Sequence, residues 1–216
     1  MEPNPYGYNF AYWLDVSGGG SPEPPDGFPD VPAFHPYYEA ITDLASRGII
    51  NGKTDGMFWP DAEVTRQQFA KMIVGTLGIS PKSSTTTRFT DLGSPDAAGY
   101  PHIFVQAAYD NGITTGTNLA QTLFAPTNPI HRDQMVSMIV RGANSIFPGT
   151  LENPPMGSPS VFAGVGDPHG ANLRIAEYND LLDGLVGMGS GWSVYANTTR
   201  GEVAQVLWNL LAKMGD

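Results

Sequence analysis

Apolar positions along this chain fall into three stretches of helical period, each opened by an arginine. After Arg66 they run Phe69, Met72, Ile73 and Leu77; after Arg132, Met135, Met138 and Ile139; after Arg200, Val203, Val206, Leu207, Leu210 and Leu211. Spacings of three and four residues put each set on one helix face. Thr65 with Gln68, and Thr199 with Glu202, have capping-box spacing, whereas His131 replaces the threonine before Arg132 and predicts a poorer cap. A shorter apolar pattern precedes each stretch. Tyr38, Ile41, Leu44 and Ala45 run up to Gly48; Ile103, Val105, Ala107 and Ala108 end at Asn111-Gly112; Leu181, Leu182 and Leu185 sit among the stop signals Gly184, Gly187 and Gly189. Phe58, Phe124 and Trp192 each lie eight residues before an arginine.

The pattern predicts an all-α chain of three helix–loop–helix repeats. The arginines stand 66 and 68 residues apart, a longer period than ankyrin or TPR units. A helical hairpin with one apolar face cannot bury it alone. Three of them can pack their second helices about a common axis, giving a pseudo-threefold domain around a central three-helix bundle. The expected boundaries are 28–79, 88–147 and a divergent 161–216, joined by linkers at 80–87 and 148–160. Tyr6, Tyr8, Phe10 and Tyr12 alternate with other residues, so 1–27 reads as an extended aromatic segment followed by a Gly/Pro linker. Packing of that strip on the repeats, or its finishing an upstream domain, is the plainer reading, and contact with sugars the functional one.

Composition narrows the chemistry. The 216 residues include no cysteine, which removes disulfides, thiolate catalysis and the usual zinc frameworks. A formal net charge of −10 argues against general binding of nucleic acid or anionic membranes, though not against a local cationic site. No run of about 18 apolar residues is present, so no membrane-spanning segment is expected. Met1-Glu2-Pro3-Asn4 shows neither the basic start nor the apolar stretch of a leader. With only 11 Lys and Arg in the chain, three at equivalent positions are conspicuous.

Each arginine falls at the first helical position, where a cation opposes the helix dipole at a cost of roughly 0.3–1 kcal/mol. Two readings account for the repetition. The guanidinium could pair with Asp30, Asp91 or Asp61 and tie a loop to a helix. Alternatively, with the neighbouring backbone N–H groups, it could form an anion site suited to a carboxylate or phosphate.

A wider set of residues bears on the choice. Phe28-Pro29-Asp30-Val31, His35, Ala40-Ile41, Gly48-Ile49-Ile50-Asn51-Gly52, Asp55-Gly56-Met57-Phe58, Pro60 and Thr65-Arg66 together resemble an S-layer homology (SLH) repeat. The second repeat keeps Phe89-Thr90-Asp91-Leu92, Gly112-Ile113, Phe124, Pro126 and Arg132-Asp133-Gln134-Met135. The third keeps chiefly Trp192 and Thr199-Arg200-Gly201-Glu202. The resemblance implies non-covalent anchoring of a surface-layer or other cell-surface protein to the bacterial cell wall. The ligand would be an acidic secondary polysaccharide, including pyruvylated forms, or a peptidoglycan-linked glycan, held in grooves between repeats. It implies Arg66, Arg132 and Arg200 as ligand contacts, with Asp30, Asp91, Asp55, Gly56 and Trp192 as further ligand-binding residues, and an extracellular, cell-wall location. Further partners would be a fused cargo domain or S-layer lattice neighbours; the alternative is an assembly module that binds proteins without glycan. Alanine at an arginine should then weaken binding with little effect on stability. Pro36 stands where the family usually has tryptophan, and Gln67-Gln68, Asp133-Gln134 and Gly201-Glu202 replace the usual Ala-Glu. By sequence Arg66 has the most intact frame, Arg132 an extended loop beside it, and Arg200 a loop that has eroded.

No catalytic residues, cofactor or metal are expected. Asn51 to Glu63 resembles a calcium loop only until Lys53 and Ala62, which stand where oxygen ligands belong. His35, His102, His131 and His169 are scattered and read as caps or core. Trp59, Trp192 and Trp208 read mainly as core or groove wall, with sugar stacking as the functional alternative.

Overall fold

The structure is a computed structural model that describes residues 27–189 and 191–215. The aromatic alternation at residues 6–12 lies outside the described residues. Among the described residues six helices form: α1 (Tyr38–Ser46), α2 (Arg66–Thr76), α3 (His102–Asp110), α4 (Arg132–Ile146), α5 (His169–Tyr178) and α6 (Arg200–Met214). Among the described residues there is no strand, only three isolated bridges.

Local chemistry accounts for the ends of the second helices. At α6 the box is reciprocal: Glu202 N donates to Thr199 Oγ1 at 3.3 Å and Thr199 N to Glu202 Oε2 at 3.1 Å. At α2 only the return half is a hydrogen bond, from Thr65 N to Gln68 Oε1 at 2.9 Å, and Thr65 Oγ1 is buried without a partner. His131 makes no side-chain cap at α4, as its residue type predicts. Gly215 ends α6 in the left-handed conformation.

Two expectations need correction. The first helix of the third repeat lies at His169–Tyr178, earlier than Leu181, Leu182 and Leu185 suggest. Those leucines are buried, but in turns after the helix, where Asp180 and Gly184 take positive φ and break the helical path. The repeats are also not self-contained hairpins. α3 packs on α2, α5 on α4, and α1 on α6, so each first helix lies against the second helix of the preceding repeat in cyclic order. The cause is the loop between the two helices of a repeat. It crosses to the start of another repeat's second helix and is bonded there, carrying its own second helix away. α2 additionally packs against both α4 and α6.

The three crossings interlock. Val64 N donates to Thr198 O at 3.0 Å, Thr198 N to Ile130 O at 2.9 Å, and Ile130 N to Val64 O at 2.9 Å, closing a ring through all three repeats. Val64, Ile130 and Thr198 are buried, so these bonds replace water that the backbone could not otherwise reach. The apolar faces of α2, α4 and α6 feed one continuous core below the ring. A smaller cluster of Ala70, Phe89, Leu92, Val105 and Phe124 seats the second loop.

Candidate arginine junctions

The ring places the start of each second helix against the next loop. The first two N–H groups of α2 donate to Asn128 O and Pro126 O, those of α4 to Ala196 O and Val194 O, and those of α6 to Ala62 O and Pro60 O. The helix termini therefore have no spare amides at these positions for an anion, which corrects the backbone part of the anion-site reading.

The arginines continue the same cyclic order. Arg66 stacks on Phe124, its guanidinium carbon 4.9 Å from the ring centre, and donates through Nε to Phe124 O at 2.7 Å and through Nη1 to Gln134 Oε1 at 2.9 Å. Arg132 stacks on Trp192 at 4.9 Å, donates to Ser193 O at 3.1 Å, and is ion-paired with Glu202. Arg200 stacks on Phe58 at 4.4 Å and donates to Phe58 O and Asn51 O, both at 2.8 Å. Each cation thus sits on the aromatic of another repeat, which offsets its unfavourable place at a helix start. The frames reverse accordingly. The extended loop of the second repeat lies beside Arg66, the eroded third loop beside Arg132, and the intact first loop, with Asp55 and Gly56, beside Arg200.

Asp30 and Asp91 pair with none of these arginines; they bind the peptide that the arginine also binds. Asp30 Oδ1 accepts from Phe58 N at 2.9 Å and Oδ2 from Trp59 N at 2.6 Å. Asp91 accepts from Phe124 N at 2.9 Å and from Ala125 N at 2.7 Å. The 58–59 and 124–125 peptides are therefore held by a carboxylate on the N–H side and a guanidinium on the carbonyl side. That clamp supports positive φ at Trp59 and Ala125, 61° and 56°, where a side chain is ordinarily disfavoured. The third repeat has Gly164 at the corresponding position of Phe162-Ala163-Gly164-Val165 and so has no carboxylate there. Trp192 instead donates through Nε1 to Glu202 Oε1 at 3.0 Å.

Charge and exposure separate the three junctions. Arg66 is 5% exposed, and burial, reinforced by repulsion from Arg141 and opposed by Asp91, pushes its guanidinium down to about 10. It remains a cation at neutral pH, with only neutral acceptors around it. Arg132 uses all three nitrogens, and its charge is compensated by the 4%-exposed side chain of Glu202. Arg200 is half-buried; burial lowers its pKa and Asp30 opposes the change. Its direct partners are two carbonyls, so no carboxylate pairs with it directly, and Nη1 has no partner.

The first loop carries the remaining predicted residues. Gly56, at φ 78°, turns the chain between Lys53 and Met57. Asp55 accepts from Met57 N at 3.0 Å and from Trp59 Nε1 at 2.8 Å, and these bonds, the backbone one first, hold its carboxyl below the usual range. Gln134 and Glu202 are the partners that sequence reasoning missed. Both stand at the third helical position, where capping-box spacing accounts for Glu202 within its own helix and carries no sign of the neighbouring repeat.

Other candidates lie elsewhere. His35 caps locally, accepting at Nδ1 from Tyr37 N at 3.1 Å, while Ser137 Oγ and His169 Nδ1 share a hydrogen bond of 2.7 Å between α4 and α5. Among the described residues no three His, Asp or Glu side chains converge as a metal site, and no helix is long and apolar enough to cross a membrane. A cavity of about 740 Å³ between residues 80–88 and α3 and another of about 560 Å³ between α1 and α6 are lined by none of the three arginines.

Residues 27–70 match the S-layer homology domain. The S-layer protein sap of Bacillus anthracis is 29% identical over 196 residues, covering 89% of this chain and 22% of that protein. An amylopullulanase of Thermoanaerobacterium thermosulfurigenes is 30% identical over 181 residues, covering 82% of this chain and 9% of the enzyme. An endoglucanase of Bacillus sp. (strain KSM-635) is 34% identical over 114 residues, covering 53% of this chain and 11% of the enzyme. The chain thus spans under a quarter of the length of these relatives.

Proposed function

Because the chain carries an S-layer homology domain, we propose that it ties a cell-surface protein to the bacterial cell wall non-covalently, by holding an acidic secondary polysaccharide at the junctions between its repeats. The repeats would act as a pseudo-threefold unit, with α2, α4 and α6 at the centre and the cyclically exchanged loops forming three unequal junctions. The location is the cell surface. No catalysis is proposed for this stretch; the enzyme names among its relatives belong to much longer proteins.

One observation carries the reading: Arg200 is a partly exposed guanidinium whose direct partners are only carbonyls, at the rim of the most intact loop. A planar cation with no carboxylate paired directly to it suits the carboxylate of an acidic sugar. Arg66 keeps its charge but is nearly enclosed, and Arg132 is neutralised by Glu202. The order of contribution we propose is therefore Arg200, then Arg66, with Arg132 serving the fold.

The test is sedimentation with purified bacterial sacculi, intact and stripped of their secondary polymer. Retention on intact sacculi that disappears on stripping is expected; no retention on either contradicts glycan anchoring. A second reading, an assembly module that presents surfaces to proteins, is favoured by the fact that all three arginines bond to other repeats. Equal loss of folding, with no selective loss of binding, when each arginine is replaced would support it.

A further inference from the structure

Trp59 is 47% exposed, yet its position is determined from several sides. Its N–H is held by Asp30 Oδ2 at 2.6 Å, and the carbonyl of the same peptide, that of Phe58, is held by Arg200 Nε at 2.8 Å. Its indole N–H donates to Asp55 Oδ2 at 2.8 Å, and Lys53 Nζ lies 5.7 Å from the ring centre. An exposed tryptophan with an ordinary surface role has no need of a left-handed backbone and two carboxylate partners. The arrangement fixes a large apolar face outward in advance, which lowers the entropy that a ligand contact would otherwise lose.

The other two junctions lack this feature. Ala125 occupies the equivalent place in the second repeat, with the same positive φ and the same carboxylate on its N–H, but has no ring to present. Ser193 occupies it in the third, and its carbonyl is taken by Arg132. Trp59 is therefore one ring at one of three similar places, and it follows directly on Phe58, whose carbonyl accepts from Arg200.

We propose that Trp59 is the sugar-stacking residue of the Arg200 junction. The aliphatic C–H face of a pyranose would lie on the indole while its acidic substituent meets Arg200, with Lys53 as a second cation at the rim. The indole supplies apolar contact that a guanidinium cannot, and its bond to Asp55 orients the ring so that one sugar face, and one linkage direction, is preferred. This rests on the glycan-anchoring reading above. It makes the Arg200 junction selective for an anionic sugar rather than for any anion.

The experiment compares wild type, Trp59→Ala, Trp59→Tyr and Arg200→Ala in sedimentation with polymer-bearing sacculi, alongside acrylamide quenching of tryptophan fluorescence. Trp59→Ala should weaken retention about tenfold and Trp59→Tyr by less than about threefold, because the tyrosine keeps a ring. Sacculi should shield wild-type fluorescence from acrylamide, and this shielding should vanish in Trp59→Tyr, which lacks the stacking indole. Circular dichroism confirms that the variants fold. If Arg200→Ala loses binding while Trp59→Ala retains it and wild-type fluorescence is not shielded, the stacking role is overturned and the anchoring reading survives. If wild type fails to sediment, the anchoring reading itself is overturned.

Discussion

Arg200 donates through Nε to the carbonyl of Phe58, 142 residues earlier in the chain, at 2.8 Å. The same relation recurs from Arg66 to Phe124, and in altered form from Arg132 to the loop of Trp192. Every repeat lends an arginine to another repeat's loop, and the ring closes because the last arginine returns to the first loop. The repeated residue is thus part of the fold before it is part of any site. Whether it can also serve a ligand depends on what else satisfies it.

Arg132 and Glu202 are the clearest structural case. Both are largely buried, and Glu202 also accepts from Trp192 Nε1 and Thr199 N. Removing one partner leaves a buried charge unpaired, so Arg132→Ala or Glu202→Ala should cost about 3–5 kcal/mol. Chemical denaturation measures this, and a loss below about 1 kcal/mol would show that the pair is dispensable. This revises the expectation that alanine at any of the arginines would spare stability.

Gly164 marks a clamp that the third repeat lacks. A Cβ at this position meets no atom within 4 Å, so a side chain fits. Gly164→Asp should gain about 0.5–1 kcal/mol by restricting the unfolded chain and offering a carboxylate to the Trp192–Ser193 amides. A thermal melt that shows destabilisation would mean the third loop has no room for the clamp.

Gly201 is required by Tyr37. A Cβ at 201 would overlap the Tyr37 ring and approach Pro60 O at 3.3 Å, while the Tyr37 hydroxyl accepts from Val186 N at 3.1 Å and cannot easily withdraw. Gly201→Ala should destabilise by about 1–3 kcal/mol. Tyr37→Leu in the same background should recover part of the loss, and urea titration of the two variants checks the coupling.

His169 gives the fold a pH dependence. Burial lowers its pKa below 6.5; Asp133 opposes this, and Arg141 and Arg66 reinforce it. The unfolded chain therefore binds the proton more readily, so the contribution is complete above about 6.5 and is lost as pH falls toward the folded value. Urea midpoints should drop between neutral and mildly acid pH, and His169→Gln should flatten that slope. An unchanged slope would place the acid sensitivity elsewhere.

Much of the helix content was legible because apolar spacing and caps act locally: α1, α2, α4 and α6 begin or end at the residues that Thr65, Arg132, Thr199 and Gly48 indicate. The third repeat misled because Leu181, Leu182 and Leu185 are buried in turns, and burial alone does not distinguish a turn from a helix. The exchange of loops was not legible. Pattern matching assigns Arg66 to the frame of its own repeat, whereas Phe58 is reached by Arg200 through chain crossing, which leaves no periodic trace. The compensation of Arg132 was hidden for a related reason. Glu202 has capping-box spacing in its own helix, and nothing local reveals that its carboxylate also faces another repeat.

The most direct measurement is the affinity of the three single arginine-to-alanine variants for polymer-bearing sacculi, each corrected for its folded fraction. Arg200→Ala should lose at least about tenfold, the scale of one charge-assisted hydrogen bond, while the folded fraction of Arg132→Ala should bind as wild type. Wild-type binding by Arg200→Ala, or a selective loss in Arg132→Ala, would contradict it.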